Sequence, residues 1–394
     1  MNDEYTDRQQ AITLRLGGQP VEAICRLVGR SREWFHIWWR RYRANGPTGL
    51  FDLTRANVQP RRIPPDLERA IVNIRARLTS QVHPGTRYSL IGASAILAEL
   101  QALHLRPLPG LRTVERVLER NGVTLPKVRL APFLASPTYP TPPAEEANQL
   151  HQVDAVGPLY LKGKRQRYYL FVAKDVFDGA VCLRIYRSRK MEIVLDFLGE
   201  CWKNLGRPTQ VQFDNAREVV GWGPAARYLS RPIRVCLRFG VEPVFIPPAR
   251  PQRQGAVENF NGWLRPRLLQ RHYTHLGALK REVQRLEATV NTQHVRPHLG
   301  GLTAVQYRRR CQLQKLPASY RIPTEPLLIA AGRVTFIRQV TPNGNVHLLS
   351  QTFKVGKRQK GEYVKVVLDT RCGHLTVYRQ GRIFKRWPYP FLNK

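Results

Sequence analysis

The sequence predicts a multidomain fold: α-helical N-terminal modules, a central α/β core on a mixed sheet, and a small β-barrel at the C-terminus. Three observations predict it. Apolar residues recur at helical spacing as far as residue 120, strand and helix patterns alternate between 150 and 270, and short strands parted by turn dipeptides fill 329–394. A chain of 394 residues has room for two or three domains, at about 150 residues each.

The first helix is predicted near Thr6–Leu16 and ends at Gly17-Gly18. Pro20 suits the first turn of a second helix, whose Ile24, Leu27 and Val28 share one face. Gly29 gives a tight turn and Ser31 an N-cap. The third helix, Arg32–Arg43, mixes Trp34, Phe35, Trp38, Trp39 and Tyr42 with Arg32, Arg40, Arg41 and Arg43. Helix, glycine turn and capped basic helix make the helix-turn-helix pattern, although a plain three-helix bundle with solvated arginines has the same spacing. A DNA-binding domain is therefore predicted over 1–58. A second helical DNA-binding domain follows over 59–123, with helices at Asp66–Leu78, Leu90–Leu103 and Arg112–Arg120. Arg112, Arg116 and Arg120 are four apart and share the outer face of the last one. Six prolines between 126 and 143 mark 124–148 as an extended linker.

The core is predicted over 149–320. Strands are expected at Leu150–Val156, Tyr168–Val176 and Ala180–Tyr186, the last two joined by the turn Phe177-Asp178-Gly179. Helix Met191–Leu205 places Ile193, Phe197, Cys201 and Leu205 on one stripe. Strand Gln210–Phe213, a helix near Ala225–Phe239, strand Pro243–Ile246 and helix Ala256–Leu269 complete the pattern, with Pro266 expected to kink or break the last helix. In the tail, strands are expected at Val334–Val340, Val346–Leu349, Thr352–Val355, Tyr363–Leu368, Leu375–Tyr378 and Ile383–Trp387. Asn343-Gly344 and Gln380-Gly381 mark hairpins, and so many short strands suggest a small barrel over 329–394.

Charge points to the partner. Lys and Arg number 64 against 28 Asp and Glu, a net charge of +36. The excess is +8 over 1–123, +17 over 124–328 and +11 over 329–394, so it is not confined to one tail. Nucleic acid is the expected polyanion, because each neutralised phosphate releases a counterion. With 42% hydrophobic residues the chain is not a disordered polycation. No run of 18 apolar residues exists, and the polar, acidic start is wrong for a signal peptide. A cytoplasmic protein with no membrane partner is expected. Six cysteines without a CxxC pair fit reduced thiols. His272 and His275, or His294 and His298, have no Cys or acid beside them in zinc-like order. No phosphate-binding loop occurs.

Against this basic background, acids at strand ends stand out. Asp154 lies near the end of the first core strand and Asp214 follows the fourth, while Glu258 lies on a helix. Strand ends face the crevice where open α/β sheets place ligands. Three carboxylates converging there would repel one another unless a cation joined them, and hard oxygen ligands select Mg²⁺ or Mn²⁺. Three unrelated surface acids remain the plain alternative. Asp175, at the end of the second strand, is the chief rival ligand.

These segments resemble the catalytic core of DDE transposases and retroviral-type integrases. The likeness rests on the strand-end Asp154, on Phe213-Asp214-Asn215, and on the approach Pro251-Gln252-Arg253-Gln254-Gly255-Ala256-Val257-Glu258. Asn291–Leu299 and Leu302-Thr303-Ala304 also resemble the closing helix and loop of insertion-sequence enzymes. Helix-turn-helix modules before the core and a barrel after it give a Mu-like layout. The resemblance covers about 150–310 and implies an RNase H-like fold. It departs in two places. Forty-three residues separate Asp214 from Glu258, more than is usual, with an insertion around Val219–Ser230, and Ala216 stands where glycine is common.

The resemblance implies that Asp154, Asp214 and Glu258 hold two Mg²⁺ ions, with Mn²⁺ as a substitute. It implies strand cleavage at a transposon end and attack of the freed 3′-hydroxyl on target DNA. The partners expected are double-stranded DNA, at transposon ends and target, and further copies of the chain, at least a dimer on DNA. Arg250, Gln254, Asn259 and Arg265 flank Glu258 and are candidate phosphate contacts. A catalytically silent regulator of transposase ancestry and a plain RNase H-type nuclease are the competing readings.

Overall fold

The computed structural model describes residues 3–53, 62–80, 85–124, 138–216, 219, 229–248, 254–322 and 327–390. It divides into two compact units, Met1–Ile63 and Pro64–Lys394.

The first unit is helical. α1 (Asp3–Leu16), α2 (Val21–Val28) and α3 (Arg32–Asn45) bury Ala11, Ile24 and Phe35 together, and Ile12, Trp38 and Leu50 in a second cluster. Gly29 caps α2 in the left-handed region at φ 69°, where a Cβ would be strained. The Ser31 hydroxyl accepts from the Trp34 N–H at the start of α3. Helix, tight turn and capped basic helix are thus all present.

The second unit opens with α4 (Pro65–Ser80), α5 (Ala93–Ala102) and α6 (Leu111–Arg120). Its core strands are β1 (Leu150–Tyr160), β2 (Arg167–Asp175) and β3 (Val181–Tyr186). α7 (Met191–Asn204), β4 (Gln210–Phe213), α8 (Arg231–Arg238) and β5 (Glu242–Phe245) follow. Then come α9 (Gly255–Leu269), α10 (Leu276–Gln293), the short β6 (Val295–Arg296) and β7 (Leu302–Thr303), and α11 (Ala304–Arg308). β1, β2 and β3 are antiparallel neighbours, while β4 and β5 run parallel to β1. One apolar cluster lies under α7 and α8 and another under α9 and α10, so the mixed sheet is covered on both faces. α9 runs through Pro266 without ending.

The helical module is fastened to this core. Tyr88 is 1% exposed among Val257, Leu279 and Leu286, and its hydroxyl and the Arg87 guanidinium both donate to Glu282 of α10, at 2.5 and 2.7 Å.

The C-terminal barrel is not formed among the described residues. β8 (Arg333–Gln339) adds in parallel to β5, pairing Val244 with Thr335 and Phe245 with Phe336. β9 (Asn345–Leu348) and β10 (Gln351–Lys354) make a separate hairpin. β11 (Tyr363–Asp369), β12 (His374–Arg379) and β13 (Arg382–Pro388) continue outward from β8, giving one nine-stranded sheet ordered β13-β12-β11-β8-β5-β4-β1-β2-β3. Phe213, Phe245 and Phe336 stack across β4, β5 and β8 with centroids 6.0 and 5.1 Å apart, so the tail shares the apolar cluster of the core. Burial of those rings in the middle of one continuous sheet takes the place of barrel closure.

Candidate active site

The site lies where the parallel pairing of β1 with β4 ends; β1 itself runs on to Tyr160, paired with β2, so Asp154 stands within the strand and not near its end as expected. β1 and β4 pair from Leu150–Gln210 to Gln152–Gln212. Two residues past the last pair come Asp154, still within β1, and Asp214, the first residue after β4. Between the pair and the acids lies an amide ladder: Gln152 Nε2 donates to Gln212 Oε1 at 2.6 Å, with both side chains buried. The Val257 N–H in the first turn of α9 donates to Gln152 Oε1 at 2.9 Å. Gln254 Nε2 donates to the Gln212 carbonyl at 3.2 Å, and Lys174 of β2 donates to the Ala256 carbonyl at 3.0 Å. Burial and the nearby Arg296 push the Lys174 ammonium down to about 8. Three contacts therefore lock the start of α9 onto β1, β2 and β4, and Glu258 is the next residue after Val257.

This brings Glu258 toward Asp154. Its carboxyl is held above the ordinary range by burial first and by the Asp154 charge second. One turn along α9, Asn261 Nδ2 donates to Asp154 Oδ2 at 2.7 Å. The other oxygen, Asp154 Oδ1, accepts from the Ala155 N–H. Asp214 is exposed, and its Oδ1 accepts from the Ala216 N–H at 3.0 Å. Asp154 and Glu258 are thus together, with Asp214 just past the end of the neighbouring strand. Among the described residues no three His, Cys, Asp or Glu side chains are yet gathered about one point. The donors are all carboxylate oxygens, and the repulsion between Glu258 and Asp154 is of the kind a hard divalent cation relieves, so the residues present suit Mg²⁺ or Mn²⁺.

The rival acid Asp175 is placed elsewhere. It is fully buried, accepts from the Asn148 N–H at 2.6 Å, and pairs with Arg308 at 2.7 Å. Arg308 also pairs with the buried Asp178 at 2.5 Å. His151 lies 3.5 Å from Asp175, with Asn148 Oδ1 at 2.9 Å and Cys201 Sγ at 3.8 Å. Burial opposes the imidazolium, but its bonds to Asp175 and Cys201 outweigh burial and hold it up at about 9. A histidine raised from 6.5 contributes stability that is complete below 6.5 and is lost as the pH rises through about 9. The melting temperature of the full chain is therefore expected to fall over that window, and less steeply in His151→Asn. A wild-type melting temperature flat between pH 6.5 and 9 would show that His151 is buried neutral.

The predicted DNA contacts divide. Arg32, Arg40 and Arg43 are exposed on α3, with Arg32 3.3 Å from Glu22. Arg41 instead turns inward, stacked over Trp38 at 4.3 Å and bonded to the Phe51 carbonyl. On α6, Arg112, Arg116 and Arg120 are exposed as expected, with Arg112 paired to Glu115 and Arg120 to Glu68. Asn259 and Arg265 are exposed on α9. Gln254 is only 3% exposed and serves the fold, not the surface. Arg250, most of the insertion at Val219–Ser230, and 125–137 of the proline-rich stretch lie outside the described residues. Asn261, Gln152 and Gln212 were not anticipated. Their signal was present: Asn261 is one helical turn beyond Glu258, and each glutamine is two residues before an acid, on the same strand face.

Comparison with known proteins agrees with this layout. Residues 144–251 match the integrase core domain family, and residues 3–51 match the homeodomain-like domain family with its helix-turn-helix. The chain is therefore transposase- or integrase-like in its core and carries a helix-turn-helix DNA-binding domain in its first unit. Among solved structures, the HTLV-2 integrase catalytic core domain in complex with magnesium is 21% identical. It covers 41% of this chain and 95% of that one, with a TM-score of 0.32. The simian T-cell lymphotropic virus intasome in complex with PP2A regulatory subunit B56 gamma is 17% identical, covering 79% and 98%, with a TM-score of 0.36. The BIV integrase catalytic core domain is 17% identical, covering 41% and 95%, with a TM-score of 0.32. Among the described residues no helix is long and apolar enough to cross a membrane.

Proposed function

We propose that the chain is a DDE-type DNA transposase that binds transposon ends, cleaves a strand there and joins the freed 3′-hydroxyl to target DNA. What supports this reading is that Asp154 on β1 and Asp214 just after β4 each follow the last pair of the parallel ladder by two residues, with Glu258 on α9 close enough to Asp154 to feel its charge. When bound, Mg²⁺ or Mn²⁺ supplies a polarised oxygen nucleophile and charge stabilisation for an in-line phosphoryl displacement. Asp154, Asp214 and Glu258 would hold two such ions. Asn261 keeps one Asp154 oxygen oriented, and Gln152 fixes the helix that carries Glu258. Asn259 and Arg265, exposed on α9, bind DNA phosphates beside the acids. No serine or tyrosine nucleophile is required, so positioning and charge do the chemistry. Two DNA ends must be paired, which calls for at least a dimer on DNA.

Incubation of the full chain and Mg²⁺ with duplex DNA bearing the inverted repeats that flank its gene tests this directly. Nicking at the repeat ends, followed by joined products, is the expected result. Binding without nicking would identify a silent regulator. Cleavage of an RNA–DNA hybrid in preference to duplex would identify a nuclease.

Arg40→Glu with Arg43→Glu is expected to weaken binding to end DNA by more than about tenfold and to lower its salt dependence, since both exposed cations sit on the third helix of the helix-turn-helix. Fluorescence anisotropy over a salt series measures both. Unchanged affinity would place the DNA on another face of that unit.

A further inference from the structure

Arg338 lies on β8 and is 6% exposed. Among the described residues its acceptors are neutral oxygens: the Ile246 carbonyl at 3.0 Å, the Ile337 carbonyl at 2.9 Å, the His347 carbonyl at 3.3 Å and Asn215 Oδ1 at 2.8 Å. A guanidinium buried without a carboxylate loses solvation that backbone carbonyls only partly restore. An apolar side chain would fill the same space more cheaply, so packing alone does not account for it. The contact that does is Asn215, the residue after Asp214. Asn215 is held at both ends of its carboxamide: its oxygen accepts from Arg338, and its nitrogen donates to the Ile246 carbonyl beyond β5. Arg338 bonds the same Ile246 carbonyl. The loop after β4, the loop after β5 and β8 are thereby tied at one point, next to the acid that the strand ladder no longer holds.

We propose that Arg338 is a positioning residue for Asp214: through Asn215 it fixes the loop after β4, so that the C-terminal strands are a working part of the candidate metal site. This rests on the function proposed above. β8 adds to the sheet beside β5, and that register alone brings Arg338 to the loop.

The test is a double-mutant cycle on the full chain, using Arg338→Met, Asn215→Ala and the pair together. Mn²⁺ binding is read by calorimetry without DNA, alongside thermal melting and affinity for a labelled duplex of arbitrary sequence. Removing an outer partner of a metal ligand costs about 10–100-fold in metal affinity. Each single variant is expected to weaken Mn²⁺ binding by about tenfold, with duplex affinity held within about twofold. The double variant is expected to be no weaker than the worse single one, because both break one connection. Losses that multiply in the double variant, or Mn²⁺ binding unchanged by Arg338→Met, would overturn the proposal. If Arg338→Met does not fold, Asn215→Ala decides alone, and unchanged Mn²⁺ affinity there overturns it. A wild-type chain that binds no Mn²⁺ removes the proposed function and this inference with it, whereas wild-type binding left intact by both variants removes only the inference.

Discussion

Asp154→Asn, Asp214→Asn and Glu258→Gln are each expected to lower Mg²⁺-dependent nicking by more than about a hundredfold while leaving affinity for end DNA within about threefold. Each exchange keeps the shape of the side chain and removes one negative charge. In a chain of net charge +36, DNA affinity comes from the basic surface and gains slightly from the loss of an acid. The chemistry behaves oppositely. Removing one preorganised charge-stabilising group costs about 10²–10³ in rate, and these carboxylates are the proposed holders of the cations. A gel assay of nicking beside anisotropy of binding measures the two effects. Activity surviving in any one variant would strike that residue from the site.

Arg308→Ala is expected to have the largest effect on stability. Arg308 is 9% exposed in its side chain and is paired with Asp175 and Asp178, both fully buried. It also donates to the Leu205 carbonyl at the end of α7. Removing Arg308 leaves buried Asp178 charged without compensation, while Asp175 keeps His151, at a cost of about 3–5 kcal/mol. Asp178→Asn in the same chain should recover part of the loss, because the stranded charge is gone. Urea unfolding of the full chain measures this. A loss below about 1 kcal/mol would mean that water reaches the aspartates and solvates them.

The sequence carried most of the elements and part of the site. Helix-turn-helix spacing around Gly29 and Ser31, the strand before Asp154 and the strand before Asp214 are local patterns, and local patterns survive folding. The destination of the tail was not local. Alternation in Val334–Val340 states that a strand forms but not which edge receives it, and a barrel and an extended sheet share that alternation. One sign was legible. Arg338 falls in step with the buried Val334 and Phe336, so a charge stood at an inward position and required a partner. Arg41 and Gln254 misled for a related reason: composition marks a residue as polar without saying that a backbone carbonyl within the fold will take its hydrogen bond.

The pairing of β8 with β5 has a practical consequence for anyone seeking a minimal catalytic fragment. Cutting the chain after the last helix of the core would strip Phe336 from Phe245 and leave Val244 and Phe245 on a raw sheet margin. Such a margin recruits other strands, so the shortened product should self-associate through it.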